Sequence, residues 1–412
     1  MRDVVVTGLG AVSPCGLDVP TTWEAMLAGR SGTDRVTHFD VTGWPSNAAG
    51  EVRGFDADAR LGARDARRMG RFMTFGCAAA EEAMASAGLV RGTNWPEMER
   101  FGVWIGSGIG GFPEICGGAE RLPHDGVSTI SPWFIPRSLI HLVAGHISIR
   151  LGAGGPSLLI ATACAASNHA IGDAYRAIAT GAVDVAIAGG AEASLHALGF
   201  GGFMNMRALS RRTDRPDAAS RPFHRDRDGF VMAEGSGLVV LEAGEHARAR
   251  GARTLATVLG YAATSDAHHV TAPAPDHAGA ARCMAAALRS GGLAPGDIDY
   301  INAHGTGTPM NDPAECAAIR RVFGSAADQL CVSSTKGVTG HLLGAAGGVE
   351  AVASVCALRD GVVPPTAHLD DIDPACDLDL VPLVARPRRL RAAMSNAFGF
   401  GGTNAVVVFG AA

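Results

Sequence analysis

The chain has 412 residues, 47% hydrophobic and 18% charged, which excludes a disordered segment and supplies ample apolar material for a large core. A formal net charge of −5 argues against a nucleic-acid partner, and no apolar run is long enough to predict a membrane span. Nine cysteines without CxxC pairing follow a start, MRDVVVTGLGAVSP, that lacks a signal-peptide pattern, so a reducing, cytoplasmic setting is expected rather than a disulfide framework.

Short β-branched runs alternate with longer Ala-rich stretches, the pattern of an α/β protein. Strands are predicted at 4–7, 102–105, 157–160, 183–188 and 237–241, with helices at 67–87 and 167–180. The style then repeats: a strand at 255–262, a helix at 277–290, a strand at 300–303, a small-residue helix at 345–358 and a final strand at 404–409. A boundary after the charged segment 242–250 gives two expected units, 1–251 and 252–412. The basic, polar stretch 210–228 reads as an irregular surface loop.

Four segments carry candidate chemistry. In SLLIATACAASNHAI (157–171) a strand runs into a helix, placing Cys164 near the helix N-terminus, where the dipole favours a thiolate. On this segment alone Cys164 reads equally well as a nucleophile or as a small buried core residue. In YINAHGTGTPMNDPAE (300–315) His304 sits in a glycine turn, with the Thr306 and Thr308 hydroxyls suited to an amide or thioester arm. Asp312 and Glu315 there either position a neighbour or open a helix with favourable acidic residues. In SSTKGVTGHLLGAAGGVE (333–350) Lys336 and His341 precede a helix whose Gly347 and Gly348 suit close packing and not exposure; Glu350 could balance a charge, while Lys336 and His341 could equally be a surface charge and a cap. In SNAFGFGGTN (395–404) a glycine turn carries Phe398 and Phe400, readable as a gate or as core.

Jointly, Cys164, His304, Lys336 and His341, in that order along the chain and the last three beside glycines, resemble the beta-ketoacyl-ACP synthase II family, condensing enzymes of the thiolase fold. The resemblance spans nearly the whole chain, from VVVTGLGAVSPCG to AFGFGGTN, and includes GSGIGG, VAIAGGAEAS, SRPFHRDRDGFVMAEGSGLVVLE and TGHLLGAAGGVEA. It implies a five-layered αβαβα fold of two pseudo-symmetric halves in a homodimer. It also implies acyl transfer to Cys164, with His304 and His341 holding a malonyl thioester as it decarboxylates and Lys336 supporting the site electrostatically through Glu350. The backbone N–H groups of Cys164 and Phe400 would form an oxyanion hole, Phe400 a gate beside Phe398, and Thr306 and Thr308 contacts to a pantetheine arm. By the same resemblance the acyl pocket comprises Ile109, Ala163, Ser194, Gly199 and Phe203, with Phe134 and Ile135 contributed across the dimer. Arg64, Arg67, Arg68 and Arg207 would receive an acidic acyl carrier protein. No cofactor on the enzyme and no catalytic metal are implied, since the phosphopantetheine arm arrives on the carrier; a structural monovalent cation is compatible with the family. HGTGTP and KGVTGH depart from common fatty-acid patterns, which keeps open a polyketide or polyene ketosynthase paired with a chain-length subunit.

Rival readings are weaker. GSGIGG at 106–111 fits GxGxxG, with Asp125 near the acidic position of a dinucleotide site, but Phe112-Pro113 and a loop-like sequence follow where a helix is required. A thiolase would need a second reactive cysteine in GFGGTN, a non-catalytic chain-length subunit would lack Cys164, and a Cys-His-Asn starter synthase would lack His341. Asp266, His268 and His269 lie in TSDAHHVTAPAPD without further metal ligands and read as surface or gate-proximal polar residues.

Overall fold

The computed structural model describes residues 1–274 and 277–412; Pro275 and Asp276, which end the TSDAHHVTAPAPD loop, lie outside the described residues. Ten strands form a mixed sheet. Their spatial order is Cys331–Ser333, Tyr300–Asn302, Ala392–Gly399, Thr403–Ala411, Ala256–Ser265, Val4–Val12, Gly235–Ala243, Val185–Glu192, Phe101–Gly106 and Ser157–Ile160. At the centre, Val4–Val12 meets Ala256–Ser265 only through the pairs Val5–Thr257 and Val6–Ala256. Numbered along the chain on each side of this seam, the strands run 3-2-4-5-1 from the outer edge inward. The pairing sense repeats too: strands 3, 2 and 4 are parallel, and 5 is antiparallel to both 4 and 1.

Helices Ala166–Ala179 and Ala346–Asp360 each touch strands from both sides of the seam and form the middle layer. Ala346–Asp360 is buried continuously from Ala346 to Leu358, as a helix apolar all round must be. Its glycines are required by contact: a Cβ on Gly348 would stand 2.2 Å from the Gly237 carbonyl oxygen. Helices Arg71–Ser86 and Leu142–Leu151 cover one outer face, around Phe72, Phe75 and Ile147. Ala278–Ser290 and Asn311–Phe323 cover the other, around Met284, Ile319 and Val408. The result is the αβαβα architecture. Among the described residues no helix is long and apolar enough to cross a membrane.

The predicted elements are present, with ends shifted by a few residues. The helix expected at 67–87 starts at Arg71, because Gly70, extended at ψ 158°, ends the preceding turn. Two expectations are corrected. The helix Phe112–Asp125 follows GSGIGG directly, with Pro113 accommodated in its first turn, where no N–H is needed. The stretch 210–228 is irregular and only in part a surface loop: Arg211, Thr213 to Arg215, Arg225 and Asp226 are exposed, but Ser220, Phe223, His224 and Arg227 are buried. It runs beneath the turn that carries His304.

Candidate active site

Strand Ser157–Ile160 leads to a short 3-10 turn, Ala163–Ala165, that opens the helix Ala166–Ala179. Ala163 sits at φ +49°, a left-handed conformation that costs a side-chain-bearing residue about 1 kcal/mol or more. The turn places Cys164, half-buried, against a cavity of about 350 Å³. Its sulfur lies 3.0 Å from His341 Nε2 and accepts the Phe400 backbone N–H. Burial pushes the Cys164 thiol up to about 12, against the opposing pull of Lys336 and that N–H. Burial thus opposes the thiolate-favouring effect expected of the helix N-terminus.

His304 follows the strand Tyr300–Asn302. Its ring stands 5.5 Å from that of His341 at 85°, and 5.7 Å from Phe398. Burial, then the Lys336 charge, hold both imidazoles well below the usual histidine range, so both are neutral near pH 7. Lys336 is itself buried; its Nζ donates to the His304 carbonyl at 2.6 Å and to the Glu350 carboxylate. Burial raises the Glu350 carboxyl while Lys336 opposes the rise. Glu350 thus balances the lysine charge, and Lys336 ties the second helix to the histidine turn.

The turn itself is held by carboxylates. Glu315 accepts from the His304 and Gly305 N–H groups, both at 2.8 Å, and from Asn396 at 3.2 Å. Asp312 accepts from Thr306 N–H at 3.1 Å, Gly307 N–H at 3.1 and 3.2 Å, and Phe223 N–H at 2.8 Å. Gly307, at φ +78°, can present its N–H this way because it lacks a Cβ. Thr306 and Thr308 share a hydroxyl contact of 3.0 Å and line the cavity beside Phe398, Phe400 and His277. Phe398 lies within the strand Ala392–Gly399; the predicted glycine turn is confined to Phe400–Gly402.

None of the seven predicted acyl-pocket residues is among the described residues lining the Cys164 cavity. Ala163 adjoins the nucleophile turn. Ile109 and Phe203 pack on an apolar cluster around Phe200, Met232 and Leu343, and the Phe203 ring contacts both Phe230 and Phe400. Ser194 is buried and hydrogen-bonds Glu192, while Gly199 faces the Phe112 ring. Phe134 lines a separate cavity of about 300 Å³ with Glu114 and Arg137, and Ile135 is exposed. Of the basic set, Arg64 and Arg67 are exposed, Arg68 lies over the Trp133 ring at 4.6 Å, and Arg207 stands exposed at the cavity wall.

Glu192 escaped the sequence reading. Buried, it accepts the N–H groups of Gly108, Ile109 (3.3 Å), Gly110 (3.1 Å) and Gly344 (3.3 Å). The GSGIGG amides that a dinucleotide phosphate would need are thus occupied by a side chain of the protein, which removes the NAD reading. No spacing rule marks a glutamate in VAIAGGAEAS. Phe230, whose ring is 5.3 Å from His341, was missed for the same reason. Asp266 accepts from Asn404 at 2.7 Å, and its N–H donates to Gly402 O at 2.9 Å, so it is gate-proximal. His269 Nδ1 accepts from the Thr271 and Ala272 N–H groups, and no His/Cys/Asp/Glu group suited to a metal occurs among the described residues.

Comparison with known proteins agrees with this geometry. The model of the beta-ketoacyl synthase N-terminal domain matches residues 1–247, and that of the C-terminal domain residues 255–370. The 3-oxoacyl-[acyl-carrier-protein] synthase 2 of Vibrio cholerae is 47% identical over 410 residues, covering 99% of each chain. That of Coxiella burnetii is 47% identical over 408 residues, covering 99% of this chain and 98% of the other. Among solved structures, a type II polyketide ketosynthase in complex with its acyl-carrier protein superposes with a TM-score of 0.93 at 34% identity, over 100% of this chain and 99% of that one. The ishigamide ketosynthase/chain length factor gives 0.92 at 35%, with the same coverage. With two domain models in series, relatives of matching length and a thiol set against two neutral histidines, the chain belongs to the beta-ketoacyl synthase family.

Proposed function

We propose that the protein is a 3-oxoacyl-[acyl-carrier-protein] synthase working through an acyl-Cys164 intermediate. The contact of 3.0 Å between Cys164 Sγ and His341 Nε2, with His304 beside it on the same cavity, carries this reading. The Cys164 sulfur attacks the acyl thioester carbonyl, the bond to the carrier's pantetheine sulfur breaks, and the thiol proton leaves on the departing pantetheine. The Cys164 and Phe400 N–H groups receive the oxyanion; the Phe400 N–H already points at the sulfur. Malonyl-carrier protein then loses carbon dioxide. The resulting enolate attacks the acyl-Cys164 carbonyl, and Cys164 leaves and is reprotonated. Neutral His304 and His341, donating from Nε2, stabilise the enolate oxygen, each worth about 3–4 kcal/mol by analogy with other oxyanion donors. Lys336, Glu350, Asp312 and Glu315 hold this geometry from behind.

Thr306 and Thr308 would contact the pantetheine arm, with Phe400 and Phe398 gating the passage. The acyl chain would extend past Phe400 toward Phe203, Ile109, Ala163, Ser194 and Gly199, completed by Phe134 and Ile135 of a second subunit. The open edge strand Ser157–Ile160, with Leu158 exposed, is available to that subunit, a homodimer mate or a chain-length partner. Arg64, Arg67, Arg68 and Arg207 would dock the carrier protein. The repeated strand order supports units 1–251 and 252–412, and nine free cysteines fit a reducing cytoplasm.

A specialised polyketide or polyene pathway is the second reading, favoured by HGTGTP and by the similarity to a type II polyketide ketosynthase and to the ishigamide ketosynthase/chain length factor. Intact-mass spectrometry with acyl-carrier proteins of varied chain, followed by malonyl-carrier protein, tests both. Mass gain on Cys164 and a longer beta-ketoacyl product are expected, and the preferred acyl chain assigns the pathway. Cys164→Ala loses both steps, whereas His304→Ala retains acyl loading better than elongation. Condensation by Cys164→Ala would refute the nucleophile.

A further inference from the structure

The turn bearing Thr306 and Thr308 is gripped on both sides. Asp312 receives its N–H groups, while the carbonyl oxygens of Gly307, Thr308 and Pro309 all accept from the buried segment below. Gly229 N–H donates to Gly307 O at 3.1 Å. Arg227 supplies the other two, Nε to Thr308 O at 3.0 Å and a terminal nitrogen to Pro309 O at 3.3 Å. Its remaining donors reach His224 O at 2.9 Å and Asp373 at 2.6 Å, and Nε lies 3.8 Å from Asp312. The Arg227 side chain is only 5% exposed.

We propose that Arg227 is a positioning residue for the carrier's pantetheine arm, fixing the Thr306–Thr308 hydroxyls by holding the carbonyls of Thr308 and Pro309. This rests on the reading of those threonines as arm contacts. Three features point to positioning and not to bulk stability alone. The guanidinium reaches two successive carbonyls through two different nitrogens of one planar fork, a geometry that a single ammonium nitrogen does not reproduce. It balances Asp312, the carboxylate that orients the opposite side of the same turn. It also lies on the side of the turn away from the cavity, where it touches no substrate.

The test compares Arg227→Lys, Asp373→Asn and Thr308→Val in the full-length protein. For Arg227→Lys the KM for malonyl-carrier protein should rise about tenfold while kcat changes less than about threefold, the pattern of lost uniform binding. Alkylation of Cys164 by iodoacetamide, which uses no arm, should keep its rate. Asp373→Asn, which loosens Arg227 from its outer side, should raise the same KM by about threefold. If Thr308→Val leaves KM unchanged, the arm reading itself fails. If Thr308→Val raises KM but Arg227→Lys does not, only the positioning role falls. Equal losses in kcat and in the alkylation rate would reduce Arg227 to a structural residue and overturn the inference. Should Arg227→Lys fail to fold, an unchanged KM in Asp373→Asn overturns it instead.

Discussion

Replacing Lys336 with Met removes the cation that pairs with Glu350 in the layer between the histidine turn and the helix Ala346–Asp360. Both side chains are almost fully buried, at 1% and 3% exposure, and Glu350 Oε2 already lacks a partner. Breaking a buried pair from one side typically costs about 3–5 kcal/mol, because the surviving charge keeps its desolvation penalty. The His304 carbonyl loses its 2.6 Å donor in the same change, so the upper end of that range is expected. A loss of about 5 kcal/mol is a large fraction of a stability of about 5–15 kcal/mol, so Lys336→Met should be folded but much weakened. Adding Glu350→Gln removes the stranded charge and should recover more than half of the loss. Urea unfolding of wild type, both single variants and the double variant, at one protein concentration, measures the coupling directly. If Lys336→Met costs less than about 1 kcal/mol, or if Glu350→Gln rescues nothing, the pair does not hold the site in the way argued here.

Three further outcomes follow from the site. With the Cys164 thiol pushed up to about 12, its alkylation by iodoacetamide, read by site-resolved mass spectrometry, should climb about tenfold per pH unit from pH 7 to 10 without a plateau; a plateau below pH 8 would contradict the dominance of burial. His341 is held neutral, its folded pKa below the usual 6.5, so its contribution to stability is present above about 6.5 and is lost as pH falls. The stability difference between wild type and His341→Asn should therefore shrink by about 1.4 kcal/mol per unit below pH 6.5, and a flat difference from pH 7 to 5 refutes this. Glu192→Ala should cost about 2–4 kcal/mol in urea unfolding by orphaning the N–H groups of Gly108, Gly110 and Gly344; a cost below about 1 kcal/mol would show the loop holds without it.

What was legible in the sequence follows the range of the interactions. Strand and helix periodicity is local, so the elements of the sheet and the two central helices could be placed within a few residues. The glycine-rich turns announced His304, Lys336 and His341 because a backbone that must approach another closely has few alternatives to glycine, as Gly348 beside Gly237 illustrates, while Cys164 was announced by its place between a strand and a helix. The buried part of the stretch 210–228 was not legible because its polarity is satisfied internally. Arg227 and Ser220 spend their hydrogen bonds on backbone carbonyls far away in sequence, at 308–309 and at Lys336. Nothing in local composition distinguishes such a segment from a solvated loop. Glu192 was invisible for the same reason, since its partners lie some 80 and 150 residues away. The helix position of Cys164 is a local feature legible in the sequence, whereas the burial that pushes its thiol up depends on the whole fold.

The repeated strand order explains why the chemistry divides as it does. On one side of the seam, strand 3 leads through Ala163, at φ +49°, to Cys164 and the helix Ala166–Ala179. On the other, it leads by way of Lys336 and His341 through Leu343, at φ +50°, to Gly344 and the helix Ala346–Asp360. Two strained turns of one shape therefore meet in the middle layer, and Gly344 occupies the place that Cys164 holds. The second turn cannot carry a side chain there: a Cβ on Gly344 would stand 2.1 Å from the Gly108 nitrogen. Its backbone is used instead, with the N–H donating to Glu192 and the carbonyl accepting from Ser167, one turn below the nucleophile. One copy of the turn presents the reactive atom, the other clamps the helix beneath it, and the His341 that precedes the second copy is thereby delivered to the sulfur of the first.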